Sequence, residues 1–393
     1  MIKRLFATGA LFLAWLPAAA PGVGPQARRE SPAAGTALQA RGAASPVMPA
    51  DPPRGYVCYR TDTPPVIDGR LDDPAWEPAL WTNDFVDIEG DRQPKPLLRT
   101  RVKMLWDDRY FYIGADLAEP HLWATLREHD SVIFHDNDFE FFIDPNGDNH
   151  EYYEFEINAL NTTWDLLLTR PYKDGGKPVN NWEIRGLQSA VHLDGTLNDP
   201  RDIDRGWTIE LAVPWTALGE VARRPAPPGD GDQWRVNFSR VEWPLDTAGG
   251  EYRPIAGRAE HNWVWSPQHV IDMHRPEEWG YVQFTNERSG MVPFRPDPTW
   301  SARVWLHRVY YAERDYRRAH GQWAAKLNDL NVRHDDLTGL SGFDLKVAGD
   351  LFEATVNRLH IRQDSLVWAE VDSRDLKFVK PALRAEESDR ARR

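Results

Sequence analysis

One stretch, residues 129–165, constrains this chain more than any other: HDSVIFHDNDFEFFIDPNGDNHEYYEFEINALNTTWD. Phe139, Phe141 and Ile143 alternate with Asp138, Glu140 and Phe142, and Tyr153, Phe155 and Ile157 alternate with Glu154, Glu156 and Asn158. An apolar period of two marks half-buried strands, whose successive side chains point to opposite faces. Between the two runs lies Asp144-Pro-Asn-Gly-Asp-Asn-His150, with an Asn146-Gly147 pair that tolerates the positive φ of a tight turn. The expectation is one hairpin with a hydrophobic inner face and an outer face carrying Glu140, Glu154, Glu156 and Asn158. Like charges at neighbouring strand positions repel unless a cation, an arginine or donor hydroxyls sit among them. The plainer reading is a set of solvated surface glutamates.

With 41% hydrophobic residues in 393, the chain can build a large core, and its 18 tryptophans exceed what packing usually asks for. A net charge of −13 argues against non-specific binding to nucleic acid or anionic lipid. Residues 1–20 combine a basic start (Lys3, Arg4), an apolar run from Leu5 to Leu16 and the small residues Ala18, Ala19 and Ala20. This is the pattern of a secretory signal peptide, with a membrane span as the alternative. An exported protein, periplasmic or extracellular, is expected. Cys58, the single cysteine, can make no intrachain disulfide and reads as a buried strand residue.

Residues 21–53 are rich in Ala, Gly, Pro and Arg and read as a disordered linker. The folded region is expected over 54–286. Val66-Ile67 reads as a short strand turning at Asp68-Gly69, and Asp73-Pro74 as a helical cap and first turn, with Trp76 and Trp81 packed inward. Residues 100–106 and 110–116 form a second hairpin about Asp107-Asp108-Arg109; 207–215, 234–243 and 279–284 are further strands. Short strands joined by turn-rich loops with little helix describe an antiparallel β-sandwich. Two long loops, 169–181 and 244–272, interrupt the rhythm, as binding loops do. Over 296–393 the character changes to a helix capped by Asp297-Pro298, with a stripe of Val309, Ala312, Tyr316, Ala319, Trp323, Leu327 and Leu330. Gly321 is its break, and short strands at 343–347, 351–356 and 366–371 follow. This small α+β extension carries no chemistry motif.

Five stretches in order, VIDGRLDDPAW (66–76), LWDDRYFYIGADL (105–117), DNDFEFFIDPNGD (136–148), GWTIELAVPW (206–215) and WGYVQF (279–284), resemble the family 9 carbohydrate-binding modules and the wider DOMON-like group. The resemblance implies an immunoglobulin- or jelly-roll-like sandwich that holds a sugar, often at a chain end, between two facing tryptophans. Such modules accompany secreted enzymes of polysaccharide degradation, and their folds often hold structural calcium. It places the motif glutamate at Glu140, the first stacking position at Phe134, the second close to Met273 and the sugar-contacting arginine near Glu156. The implied partner is a carbohydrate.

Sugar recognition needs an apolar platform for C–H faces and fixed polar groups for hydroxyls. Phe134, Trp164, Trp182, Trp263 and Trp265 are candidate platforms, and Asn137, Glu140, Glu154, Glu156 and Asn158 candidate partners, with Met273 and His274 closing the pocket. A glycosidase pairing Glu140 with Glu154 or Glu156 is the catalytic alternative. Asp144, Asn146 and Asp148 have the one-three-five oxygen spacing of a calcium loop but also suit a plain Asn-Gly turn. Haem, held in some DOMON-like relatives, would take Met104, Met273 or His274 as axial ligands. His129, His135 and His150 lack a tight pair spacing and read as hydrogen-bonding groups around a pocket.

Overall fold

The computed structural model describes Met48, residues 51–330, Val332 and residues 339–370. The expected signal peptide and most of the expected linker lie outside the described residues. Where apolar residues alternate with polar ones the chain extends into strands, in order β1 (Gly55–Arg60), β2 (Val86–Asp87), β3 (Thr100–Trp106), β4 (Tyr110–Ala118), β5 (Asp138–Asp144), β6 (Tyr152–Asn158), β7 (Thr163–Leu168) and β8 (Pro178–Val179). They continue with β9 (Gln188–Asp194), β10 (Gly206–Pro214), β11 (Gln233–Glu242), β12 (Leu245–Asp246), β13 (Arg253–Pro254), β14 (His261–Val264) and β15 (Gly280–Thr285).

Thirteen of these join one curled sheet in the order β8, β7, β6, β5, β11, β15, β1, β3, β4, β10, β9, with β14 beside β11 and β2 beside β14. The halves fold over each other, so Phe139, Phe141, Phe155 and Ile157 share one core with Val102, Met104, Ile113 and Leu211. The molecule is thus mainly β, a sandwich of one bent sheet. Its pairing is antiparallel except at β1, which runs parallel to both β15 and β3. That departs from the purely antiparallel expectation. The connection between β1 and β3 that parallel pairing requires is the long 61–99 segment, whose Ile67, Leu71, Trp76 and Ala79 pack over the outer face of β3, β4 and β10 before β2 joins the edge of the sheet at β14.

That segment is held by a buried acid. Glu210 of β10 accepts from Trp76 Nε1 at 2.7 Å and from the backbone N–H groups of Asp68 and Gly69 at 2.9 Å each. Val66 and Ile67 are therefore not a strand but the approach to this anchor. Asp73 caps nothing with its side chain and accepts from Val66 N instead. Trp76 is buried as expected, whereas Trp81 is half-buried beneath Arg101 and Lys103. The tryptophan excess is spent largely inside: Trp106, Trp215 and Trp234 surround Phe284 at centroid distances of 5.9, 5.7 and 5.7 Å. Burying each such ring stabilises by roughly 1.5–3 kcal/mol.

Among the described residues there are two α-helices, the short α1 (Trp215–Leu218) between β10 and β11, and α2 (Trp300–His320) after β15, which ends where Gly321 adopts φ 74°. A four-stranded antiparallel sheet of β16 (Asp344–Ala348), β17 (Leu351–Val356), β18 (Leu359–Arg362) and β19 (Val367–Ala369) covers one side of α2. Val304, Trp305, Leu306 and Val309 pack there against Phe352, Val356 and Ile361. The expected stripe covers the later half of this core, but Ala319 is exposed, and β18 was not anticipated.

A second, polar stripe of α2 docks on the sandwich. Arg303, His307, Tyr310, Tyr311 and Arg314 recur at helical spacing. Arg303 donates to Gly147 O at 2.7 Å, His307 meets Asn149 at 3.0 Å and Arg314 pairs with Asp174 at 2.7 Å. Tyr311 donates to Glu277, which also takes Lys173 at 3.0 Å and Arg275 at 3.2 Å. Burial alone would push Glu277 upward, but Lys173 and Arg275 outweigh it and hold the carboxylate far below its ordinary range. Among the described residues no helix is long and apolar enough to cross a membrane.

Candidate functional site on the acidic face

Register fixes which side chains share a face. Ser239 of β11 stands opposite Glu140 of β5, Glu140 opposite Glu156 of β6, and Glu156 opposite Trp164 of β7, giving one row across four strands. The next row runs Asn237, Phe142, Glu154, Leu166, and on the other side Asp138 stands opposite Asn158. The alternation read in the sequence holds: Phe139, Phe141, Ile143, Tyr153, Phe155 and Ile157 face the sandwich core, and the carboxylates face away.

Away from the core is not into water. Asp138, Glu140, Glu154 and Glu156 are 0%, 5%, 6% and 1% exposed, which overturns the solvated-surface reading. A second apolar layer of Phe142, Tyr152, Leu166, Leu168 and Trp279 surrounds this floor, with half-buried Trp164, Tyr172 and Met273 packed on it. Phe134 lies beside Trp164, ring centroids 6.4 Å apart, and its backbone N–H donates to Glu156 Oε2 at 3.0 Å. His274 contacts Tyr172 at 4.4 Å between centroids and hydrogen-bonds the Tyr152 hydroxyl at 3.0 Å. The result is a recessed acidic floor with a rim of rings.

Charge compensation on this floor is missing. Among the described residues no lysine or arginine comes within 4.0 Å of these four carboxylates. His274 Nε2, 3.9 Å from Glu154, does not replace one, because burial and then Lys173 push its pKa down to about 3. Asp138 Oδ1 accepts from Val241 N at 3.1 Å, while Asp138 Oδ2 and Glu154 Oε2 are buried with no hydrogen-bond partner. Burial raises Glu140 to about 7, with the Ser239 hydroxyl pulling the other way. Burial, then Glu140, raises Asp138, Glu154 and Glu156 well above the carboxylate range. Acids this close and this dry do not ionise together without help.

Of the residues expected at the site, Phe134, Glu140, Glu154, Glu156, Trp164, Met273 and His274 converge here. Others do not. Asn158 is committed to the loop around it: its Nδ2 donates to Leu126 O and Asp136 Oδ2, and its Oδ1 accepts from Leu160 N and Thr162 N. Asn137 accepts from Trp243 N at 2.8 Å, positioning that strand end. Trp182 lies on the opposite face of the sheet, against Tyr153, with its Nε1 bonded to Glu220. Trp263 and Trp265 are 4% and 1% exposed within the main core, Trp263 stacked on His261. Large rings in a loop suit a platform by type, but β14 pairs with β11 and carries Trp263 inward.

The calcium spacing of Asp144, Asn146 and Asp148 resolves as a self-bonded turn. Asp144 accepts from Gly147 N and Asn149 N, and Asn146 Nδ2 donates to Asp148 Oδ2, each at 2.8 Å. Its oxygens serve the loop's own donors, and the loop is a docking point for α2. Met104 sits in the main core, across the sheet from Met273 and His274, so these do not form one axial pair for haem. His150 binds Asp364 O at 2.7 Å, His135 rests edge-on against Phe134, and His129 joins Asp130 and Glu183 on the surface. Glu140 and Glu156 stand side by side on one floor, whereas a glycosidase pair flanks the scissile bond.

Sequence reasoning passed over Asp138, Tyr172, Ser239 and Trp243. Asp138 was legible, because it shares a period-two set with Glu140; Ser239 lies in the expected strand 234–243, but its place opposite Glu140 depends on a cross-strand register that the sequence does not give. Trp243, at the end of that expected strand, donates from Nε1 to Phe134 O at 2.9 Å, a partner distant in the chain, and Tyr172 is brought in by a loop, for which the sequence holds no register.

The family model described as carbohydrate family 9 binding domain-like matches residues 67–226. The chain is 28% identical to exoglucanase XynX of Acetivibrio thermocellus over 49% of its length and 16% of that enzyme's. It is 27% identical to endo-1,4-beta-xylanase A of Thermoanaerobacterium saccharolyticum over 49% of its length and 15% of that enzyme's. It thus spans about a sixth of these relatives. Among solved structures, a family 9 module of Caldicellulosiruptor kristjanssonii in complex with cellotriose aligns at TM-score 0.40 and 14% identity, covering 62% of this chain and 100% of that one. A putative carbohydrate-binding protein of Bacteroides uniformis aligns at 0.43 and 16%, covering 59% of this chain and 99% of that one.

Proposed function

We propose that this chain, which belongs to the carbohydrate family 9 binding domain-like family through residues 67–226, is an exported, non-catalytic carbohydrate-binding protein that takes its ligand on the acidic face. The observation that carries the reading is the cross-strand row Glu140, Glu156, Trp164, which sets hydroxyl acceptors beside a ring on one recessed floor. Phe134 and Trp164 offer C–H platforms at one side, and Tyr172, Met273 and His274 stand at the other. Carboxylate acceptors in a low-dielectric recess bind hydroxyls more strongly than exposed ones do. Export is supported by the basic, apolar and small-residue order of residues 1–20. A role beside polysaccharide-degrading enzymes follows the company that relatives of this region keep, with glycan uptake as the alternative for an exported binding protein.

The test is a glycan array on the full chain, then calorimetry with the best glycan on Glu140→Ala. The expected result is affinity lower by about tenfold or more, the worth of one charge-assisted hydrogen bond, with the thermal midpoint kept. Unchanged affinity, loss of the folded state, or no glycan bound would overturn the assignment.

A further inference from the structure

Three carboxylates on the floor are arranged about a common point. Oxygens of Asp138, Glu140 and Glu156 all lie within 4.8 Å of one another, and all three residues are buried. Oxygens around one calcium sit about 2.4 Å from it, so two of them are at most about 4.8 Å apart. The spacing fits one coordination shell. A buried acidic cluster alone would not say that something is bound. Here, though, Asp138 Oδ2, on a residue with no exposure, takes no hydrogen bond from the protein, and neither does Glu154 Oε2 on the adjoining row. Leaving such an atom unpaired in a dry interior costs several kcal/mol or forces it to be neutralised. Elsewhere in the same sandwich other buried acids are satisfied within the protein: Arg240 meets Glu119 at 2.7 Å and Glu242 at 2.8 Å, and Glu210 accepts from Trp76 Nε1 and from two backbone N–H groups.

We propose that Asp138, Glu140 and Glu156 hold one hard divalent cation of the calcium class at the floor of the ligand site. The donor set is all carboxylate oxygen, which suits a hard ion and not a thiophilic one. Three side chains leave a shell of six to eight oxygens incomplete, to be completed by water or ligand hydroxyls. Glu156 is oriented for this by the Phe134 N–H on its Oε2, and Asp138 by Val241 N–H on its Oδ1. The inference deepens the carbohydrate reading without resting on it, because ion binding is measured with no sugar present.

The experiment strips the full chain with chelator, then titrates it with calcium by calorimetry and with terbium by tryptophan-sensitised luminescence, Trp164 being Glu156's cross-strand neighbour. One ion per chain is expected, with affinity at least tenfold lower in Asp138→Asn and in Glu156→Gln, and unchanged in Glu183→Gln at the exposed His129 cluster. Should Glu156→Gln not fold, Asp138→Asn carries the test, since the oxygen it replaces bonds nothing in the protein. Failure of calcium, magnesium, manganese and terbium all to bind stoichiometrically would overturn the site. So would binding that survives Asp138→Asn, or that is lost in Glu183→Gln. Glycan binding that persists in the chelated protein would leave the carbohydrate reading standing by itself.

Discussion

The molecule buries two groups of carboxylates beside the same half of its sheet, and they are built on opposite terms. In the first, Glu277 and Glu278 are 3% and 1% exposed, but Arg275 reaches both, Lys173 adds a second cation and Tyr311 a hydroxyl from the docked helix. Arg275 also donates to Gln268 O at 2.6 Å, so its own donors are occupied. In the second, Asp138, Glu140, Glu154 and Glu156 are as deeply buried, and among the described residues no lysine or arginine pairs with them. A buried charge with its counter-ion inside the chain fastens parts of the fold together. One without it is neutralised either by a proton, as at Glu313, or by something bound from outside the chain.

The largest effect that would break this comparison is on the paired side. Arg275→Met strands Glu277 and Glu278 without their shared cation, and we expect a loss of about 3–5 kcal/mol in urea unfolding. A loss below about 1 kcal/mol would mean the network is not what docks α2. On the unpaired side the sign reverses. In chelated protein, Asp138→Asn relieves repulsion and keeps an acceptor for Val241 N–H, so stability should rise by about 1 kcal/mol or more. In saturating calcium the same variant should lose relative to the parent chain. A drop in both conditions would make Asp138 a structural residue.

The smallest effects are in the pH dependence of stability, and they sharpen the contrast. Glu277 is held low in the folded state, so its contribution is complete above an unfolded pKa near 4.5 and disappears as pH falls below that. Glu313 of α2 is raised to about 7, by burial first and against the Ala324 N–H bond. The folded state therefore binds a proton there between about pH 4.5 and 7, and stability falls as pH rises through that window. Denaturant melts across pH should show Glu313→Gln flattening that fall and leaving acid behaviour alone. Glu277→Gln should cost most at neutral pH, with its difference from the parent chain narrowing only in acid. Equal pH profiles for the two variants would erase the distinction.

Much of this is legible in the sequence. The β5 and β6 alternation located the strands, their turn and the face on which Glu140, Glu154 and Glu156 stand, because a strand's two-residue period leaves no other choice once the apolar set is known. Loop residues were beyond that logic. Trp182, Trp263 and Trp265 resembled platforms by type and location, yet β14 pairing and the Tyr153 contact put them at the core face, while Tyr172 and Trp243 reached the site unannounced. Asp144, Asn146 and Asp148 had oxygens at suitable intervals, but local N–H donors were closer than any ion needed to be.

By itself the sequence determined that this chain makes a sandwich of alternating strands and that one hairpin presents acids on a single side, since both are properties of neighbours along a strand. That this side is walled by Trp279, Tyr172 and Met273, and that among the described residues its acids meet no lysine or arginine while Glu277 meets two cations, was decided only in three dimensions. Burial and pairing depend on residues distant in the chain arriving at one place, and the dielectric around a carboxylate belongs to the packed molecule rather than to its own segment.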